Sequence, residues 1–267
     1  MLVQPKELAQ RLGDPNLLIV DLCGKESYLS GHILGAVPLE YDEISIARLP
    51  AQGLMPEISQ LNTSLSKIGY TPEKQVVAYD SVGNNQAARL LWVLSELGHG
   101  GALLIDGGLK AWLAENLPTE RSEFSVTPSN FQGKYQEGRA EVDKTYVLNH
   151  LNNPNTIFLD VRTLGEYQGT DARANRVGRI PGAVHFEWTQ ALDKDHHLRF
   201  KPKEEIRAML EALKVTPDKE IICYCQKYLR ASHTSMMLKY MLGYPKVKGY
   251  VGSWSEWGND PETPIEI

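Results

Sequence analysis

Cys225 is followed by Gln226, Lys227, Tyr228, Leu229 and Arg230. A sulfur nucleophile with one cation two residues on and another five residues on could attack an electron-poor centre and hold an anion beside it. The run before it, Ile221-Ile222-Cys223-Tyr224, is short, apolar and β-branched or aromatic, as a strand buried in a parallel sheet is. The run after it, Ala231 to Met241, has the apolar spacing of an amphipathic helix that Gly243 stops. Cys225 is therefore expected at the carboxyl end of a strand with a helix N-terminus just beyond, where open α/β sheets place their sites. The helix dipole, inward-turned loop N–H groups and the charges of Lys227 and Arg230 would all favour a thiolate there.

The elements around this loop occur twice. Leu18 to Asp21 leads to Gly31-His32-Ile33-Leu34-Gly35-Ala36-Val37, and Phe158-Leu159-Asp160-Val161-Arg162 leads to Gly178-Arg179-Ile180-Pro181-Gly182-Ala183-Val184. The second copy carries an eight-residue insertion that includes Asp171, Arg173, Asn175 and Arg176, and its polarity predicts a surface loop. Val76-Val77-Ala78-Tyr79-Asp80 matches Ile221 to Cys225 at an offset of 145, and that offset persists through Gly98 and Gly243, Gly107 and Gly252, and Trp112 and Trp257. Such constancy marks an internal duplication. The polar stretch with Pro128, Gly133 and Gly138 reads as a linker. The expected division is 1–120, a linker over 121–141, and 142–267. Helical patterns over Ala87 to Leu97, Lys203 to Leu213 and Ala231 to Leu242 alternate with strands, which predicts two α/β domains, each a parallel sheet with helices on both faces. Where the second copy has Cys225 the first has Asp80, followed by no cation before Asn85, so the second copy is expected to be catalytic and the first inactive.

At 267 residues, 42% hydrophobic and 23% charged, the chain is long enough for two ordinary cores. Its net charge of −5 and its lack of Lys/Arg runs argue against a nucleic-acid partner. No run is long and apolar enough to span a membrane, and three cysteines do not make a disulfide framework, so a soluble cytoplasmic protein is expected. His196-His197 has no third ligand in spacing, and no metal is expected.

Asp160-Val161-Arg162, Gly178 to Ala183, the loop Cys225 to Arg230 and Gly252-Ser253-Trp254-Ser255-Glu256-Trp257 occur in an order that resembles the two-domain rhodaneses, thiosulfate:cyanide sulfurtransferases. The likeness covers nearly the whole chain and implies a tandem duplication of a rhodanese-like domain. It implies that the Cys225 thiolate takes the outer sulfur of a small-molecule donor, holds it as a persulfide and passes it to a thiophilic acceptor such as cyanide or a thiol, with no cofactor. It also implies contacts to the sulfur donor from Lys227, Arg230, Arg162 and Ser253, with Asp160, Gln226, Tyr228 and Leu229 supporting the loop; Arg230 could instead brace the loop, and Asp160 with Arg162 could be a plain ion pair. Four positions depart from the family pattern. Glu166 stands where an arginine is usual, Val251 where an aspartate is expected, and Tyr228 and Leu229 fill a loop that often holds glycine.

Other readings start from the same residues. A carboxylate donor, 3-mercaptopyruvate, needs one well-placed cation where thiosulfate favours a denser positive pocket, so Lys227 leans to thiosulfate and Glu166 away from it. A carrier that hands persulfide to a protein acceptor would use the same groups. A phosphatase loop needs five residues between cysteine and arginine, and here four intervene. Cys223 matches the small residue Ala78 and reads as core, and His233 is not needed as a base by a thiolate.

Overall fold

The structure, a computed structural model, describes residues 1–122 and 125–267, so residues 123 and 124 of the expected linker lie outside the described residues. The chain forms two compact units. In the first, five parallel strands lie in the order Leu2–Val3, Leu103–Ile105, Gln75–Tyr79, Leu17–Asp21, Val37–Pro38. In the second the order is Glu141–Val142, Val247–Tyr250, Glu220–Tyr224, Thr156–Asp160, Val184–His185, again parallel throughout.

The duplication is most complete in what each unit buries. One core gathers Val3, Leu8, Ile19, Ile33, Ala36, Val77, Tyr79, Ile105, Leu109 and Trp112. The other gathers Val142, Val147, Phe158, Ile180, Ala183, Ile222, Tyr224, Tyr250, Trp254 and Trp257, which are the same positions of the repeat in the same order. Apolar volume at fixed points of a shared backbone is what a close-packed interior demands, so these positions keep their character while the surface diverges.

Each unit also includes a hairpin from the other half of the sequence. Ile46–Arg48 and Ala51–Leu54 pair antiparallel within the second unit, and Leu192–Asp193 and Arg199–Phe200 do so within the first. In the first unit Arg199 is ion-paired with Glu115, and the Phe200 N–H donates to Asp106 at 2.9 Å. The stretch after residue 128 is not a free tether. Ser129 N–H donates to Ser66 O at 2.9 Å, Phe131 packs edge-on against Tyr70, and Gln136 N–H donates to Glu96 O at 3.0 Å.

The loops after the two central strands differ by one residue. The first-unit helix, Asn85–Glu96, starts five residues after Asp80, whereas Leu229–Met236 starts four after Cys225. Both end before the matching glycines, Gly98 and Gly243. The extra residue in the second helix is taken up by a π turn over Met237–Met241, the usual way a helix absorbs a single insertion. The expected helix from Ala231 to Met241 is therefore two elements, and it starts two residues earlier than its apolar spacing indicates.

The first-unit loop shows what such a turn requires. Asp80 is fully buried, and its carboxylate accepts backbone N–H bonds from Val82 (2.8 Å), Asn84 (2.7 Å), Gln86 (2.8 Å) and Ala87 (3.2 Å). Burial pushes the Asp80 pKa up, and the converging N–H groups oppose that shift. The loop is an anion cradle filled by its own side chain. Replacing Asp80 with Ala should leave these donors buried without an acceptor and cost about 2–4 kcal/mol, read as an earlier transition in urea unfolding.

Candidate active site

Cys225 lies one residue beyond Glu220–Tyr224 and is 1% exposed. Tyr228, φ +55°, makes the left-handed turn into helix Leu229–Met236. That conformation suits glycine, and the tyrosine that takes it here is wholly buried, with its hydroxyl 3.0 Å from Ser235 Oγ on the following helix. Gln226 is tied outward, its Nε2 donating to Arg173 O at 2.9 Å. Leu229 is half-buried at the first helical position, and Lys227 is exposed.

Two segments fix the loop from outside. Cys225 N–H donates to Ser253 Oγ at 3.3 Å, and that hydroxyl donates to Tyr250 O at 2.9 Å. Cys225 O and Gln226 O accept from Trp254 N–H (2.9 Å) and Ser255 N–H (3.0 Å). Ser255 Oγ also accepts from Gln52 N–H at 3.1 Å, on the hairpin strand Ala51–Leu54. The next residue of that strand must be glycine, because a Cβ on Gly53 would stand 1.9 Å from Lys227 O.

Asp160 and Arg162 form a buried brace. Arg162, 1% exposed, donates to Asp160 through Nε at 2.9 Å and Nη2 at 2.5 Å, and to Gly178 O at 2.8 Å. Its guanidinium lies over the Trp254 ring, 4.5 Å from the centroid. Tyr224 Oη donates to Asp160 Oδ2 at 2.7 Å. Of the two roles open to Arg162, a plain ion pair with Asp160 and a contact to the sulfur donor, the geometry supports the first, with Nε and Nη2 committed to these acceptors and the side chain enclosed in the fold.

Arg230 is held by Glu166, with Nη1 2.6 Å from Oε2 and Nη2 2.9 Å from Oε1. Glu166 is 1% exposed, and its Oε2 also accepts from Thr163 N–H and Oγ1, closing a capping box on helix Leu164–Gln168. Burial would lower the Arg230 pKa, but the Glu166 carboxylate and the negative charge of a Cys225 thiolate outweigh it and raise it. Burial alone would push the Glu166 carboxyl up, but the two-pronged bond to Arg230 brings it down from 4.5 to about 2.

The neighbouring titratable groups are unsuited to chemistry. Burial pushes the Cys223 thiol up to about 12, and Cys225 beside it adds to that, in keeping with a core position. Burial lowers His233 to about 3, so this imidazole, edge-on to Trp188 at 5.1 Å, stays neutral at ordinary pH. In the first unit, burial and then Asp21 raise the Cys23 thiol, which occupies the position of Arg162.

Two contributors escaped the sequence reading. The polar insertion was placed at the surface, yet its inner edge carries the Arg173 carbonyl that holds Gln226, and Arg176 O accepts from Trp254 Nε1 at 3.2 Å. The Glu166 to Arg230 pair spans 64 residues, and only the local signal of Thr163 and Glu166 in a capping box was visible.

A model of the rhodanese-like domain matches residues 4–115 and again 143–260. A thiosulfate sulfurtransferase of Azotobacter vinelandii is 38% identical over all of this chain and 97% of its own length. A probable 3-mercaptopyruvate sulfurtransferase of Pseudomonas aeruginosa is 33% identical, over 99% of this chain and 97% of its own. The sulfur carrier protein TtuD of Thermus thermophilus is 31% identical, over 99% and 96% respectively.

Because Glu166 holds its proton less readily folded than unfolded, its stabilising contribution is complete above pH 4.5 and is lost as pH falls through about 2. Glu166→Gln should therefore be less stable than wild type by about 1–3 kcal/mol at pH 7. The gap should narrow below pH 4.5 and close near pH 2, as measured by urea unfolding at each pH.

Proposed function

This chain belongs to the rhodanese-like domain family, and from that premise we propose that it is a thiosulfate sulfurtransferase whose Cys225 carries the transferred sulfur. The Cys225 thiolate attacks the outer sulfur of thiosulfate. A new S–S bond forms, the bond to the sulfonate sulfur breaks with its electron pair, and sulfite leaves. The persulfide anion then gives its terminal sulfur to cyanide or another thiophile, and the thiolate is restored.

The observation that carries this reading is the pair of sister loops. At the position of Cys225 the first unit seats a carboxylate among four backbone N–H groups, so this turn receives negative charge at that point. Backbone N–H groups of the shorter second loop would likewise stabilise a thiolate or persulfide on Cys225, as fixed donors stabilise an oxyanion. Lys227, exposed at the loop, is assigned to the anionic head of the donor, and Arg230 to the reacting sulfur. Ser253, Gln226, Tyr228 and Leu229 hold the loop in shape, and Asp160 with Arg162 braces the strand end behind it. Residues 1–120 form the non-catalytic half, with Asp80 in place of the nucleophile, 121–141 the connection, and 142–267 the catalytic half. No helix among the described residues is long and apolar enough to cross a membrane, and all three cysteines are free, which supports work in a reducing cytoplasm.

A second reading has one specific support. The Glu166 carboxylate cancels the charge of Arg230, which favours a donor of lower charge, 3-mercaptopyruvate, and the probable 3-mercaptopyruvate sulfurtransferase of Pseudomonas aeruginosa matches along the chain. The likeness to a sulfur carrier protein supports a protein as the final acceptor.

Intact mass spectrometry separates these readings. With thiosulfate, wild type should gain one sulfur that cyanide removes, and Cys225→Ser should gain none. A faster gain with 3-mercaptopyruvate would make that the donor, and no gain with either would sink the transfer reading. Lys227→Ala should raise the KM for thiosulfate about tenfold with a smaller change in kcat, as steady-state thiocyanate formation would show.

A further inference from the structure

Resting on the sulfur-transfer reading, we propose that Glu166 is a positioning residue that sets the charge the site presents to incoming anions, and thereby its selectivity between dianionic and monoanionic sulfur donors. Arg230 would by itself place a full positive charge beside the reacting sulfur. Instead its fork meets Glu166 at 2.6 and 2.9 Å, and Thr163 fixes the carboxylate from behind through its N–H and hydroxyl. The pair as a whole is neutral.

The other nearby cation of the insertion is also compensated. Arg173 lies 3.7 Å from Glu166 and 3.1 Å from Asp171. Among the described residues Lys227 has no ion-pair partner, and it is exposed. The site therefore combines a neutral ion pair with one exposed cation, an arrangement that admits a donor without attracting every anion. The sister copy has Ser27 at the position of Glu166 and Asn85 at that of Arg230, so the ion pair belongs to the unit that has the cysteine.

Glu166→Gln tests the charge while keeping the side-chain oxygen that caps Thr163. Glu166→Ser, which installs the residue the sister unit carries, is the second variant should the first fold poorly. The first readout needs no sulfur donor. Cys225 is alkylated with iodoacetate, which is anionic, and with iodoacetamide, which is neutral, and the ratio of the two rates is taken. Loss of the Glu166 charge should raise that ratio about three- to tenfold. A structural role alone would change both rates alike and leave the ratio as in wild type, which overturns the proposal.

The second readout compares thiosulfate with benzenethiosulfonate as donors of the same outer sulfur carrying two charges and one. In either variant kcat/KM should shift three- to tenfold toward thiosulfate, chiefly through KM. An unchanged donor ratio counts against the proposal. If wild type takes sulfur from neither donor, the transfer reading falls, and the alkylation ratio still decides what Glu166 does to the charge of the site.

Discussion

When a strand turns straight into a helix, several backbone N–H groups converge on one buried point, and burial makes it costly to leave them unmet. Both units are arranged around that constraint. In the first, Asp80 meets it with four N–H bonds, and the turn is finished as structure. In the second, the residue at that point is Cys225, whose sulfur brings an acceptor only when it is charged or carries a charged sulfur. One substitution at a shared backbone position thus separates a turn closed by its own carboxyl group from one that carries a thiol.

The frame that holds the two loops is common to both. In each unit the tyrosine ending the central strand donates to the aspartate ending its neighbour, Tyr79 to Asp21 and Tyr224 to Asp160, and the tyrosine oxygen accepts an N–H from the matching isoleucine, Ile33 or Ile180. Ten core positions correspond one for one beneath them. What the second unit adds is concentrated at its loop. Arg162 replaces Cys23 and seals the brace against Trp254, the insertion ties down Gln226, and a π turn absorbs the residue by which the two loops differ.

At the loop of the second unit the buried cations are balanced and the exposed Lys227 is not. Arg162 is matched by Asp160 and Arg230 by Glu166, both inside the fold, where an unmatched ion would be expensive. Lys227 is the cation left in water, free to follow a ligand. Glu166, which looks from the sequence like the loss of an expected positive group, is in the structure the partner that keeps Arg230 charged and fixed beside the sulfur.

The sequence by itself determined the duplication, the parallel α/β class and the asymmetry between Asp80 and Cys225. These rest on local order, on strand and helix periodicity and on a constant spacing, all properties of a linear string. It also marked Tyr228 and Leu229 as a departure, though not that Tyr228 pays for its left-handed backbone by burying its ring and bonding Ser235. The tertiary structure alone decided which charges cancel, because Arg230 and Glu166, 64 positions apart, meet only when two strands of one sheet bring the chain back on itself. It alone showed that the hairpin strand Ala51–Leu54 lies against the second-half loop and that Arg162 is enclosed, since side-chain burial depends on what the rest of the chain packs over it.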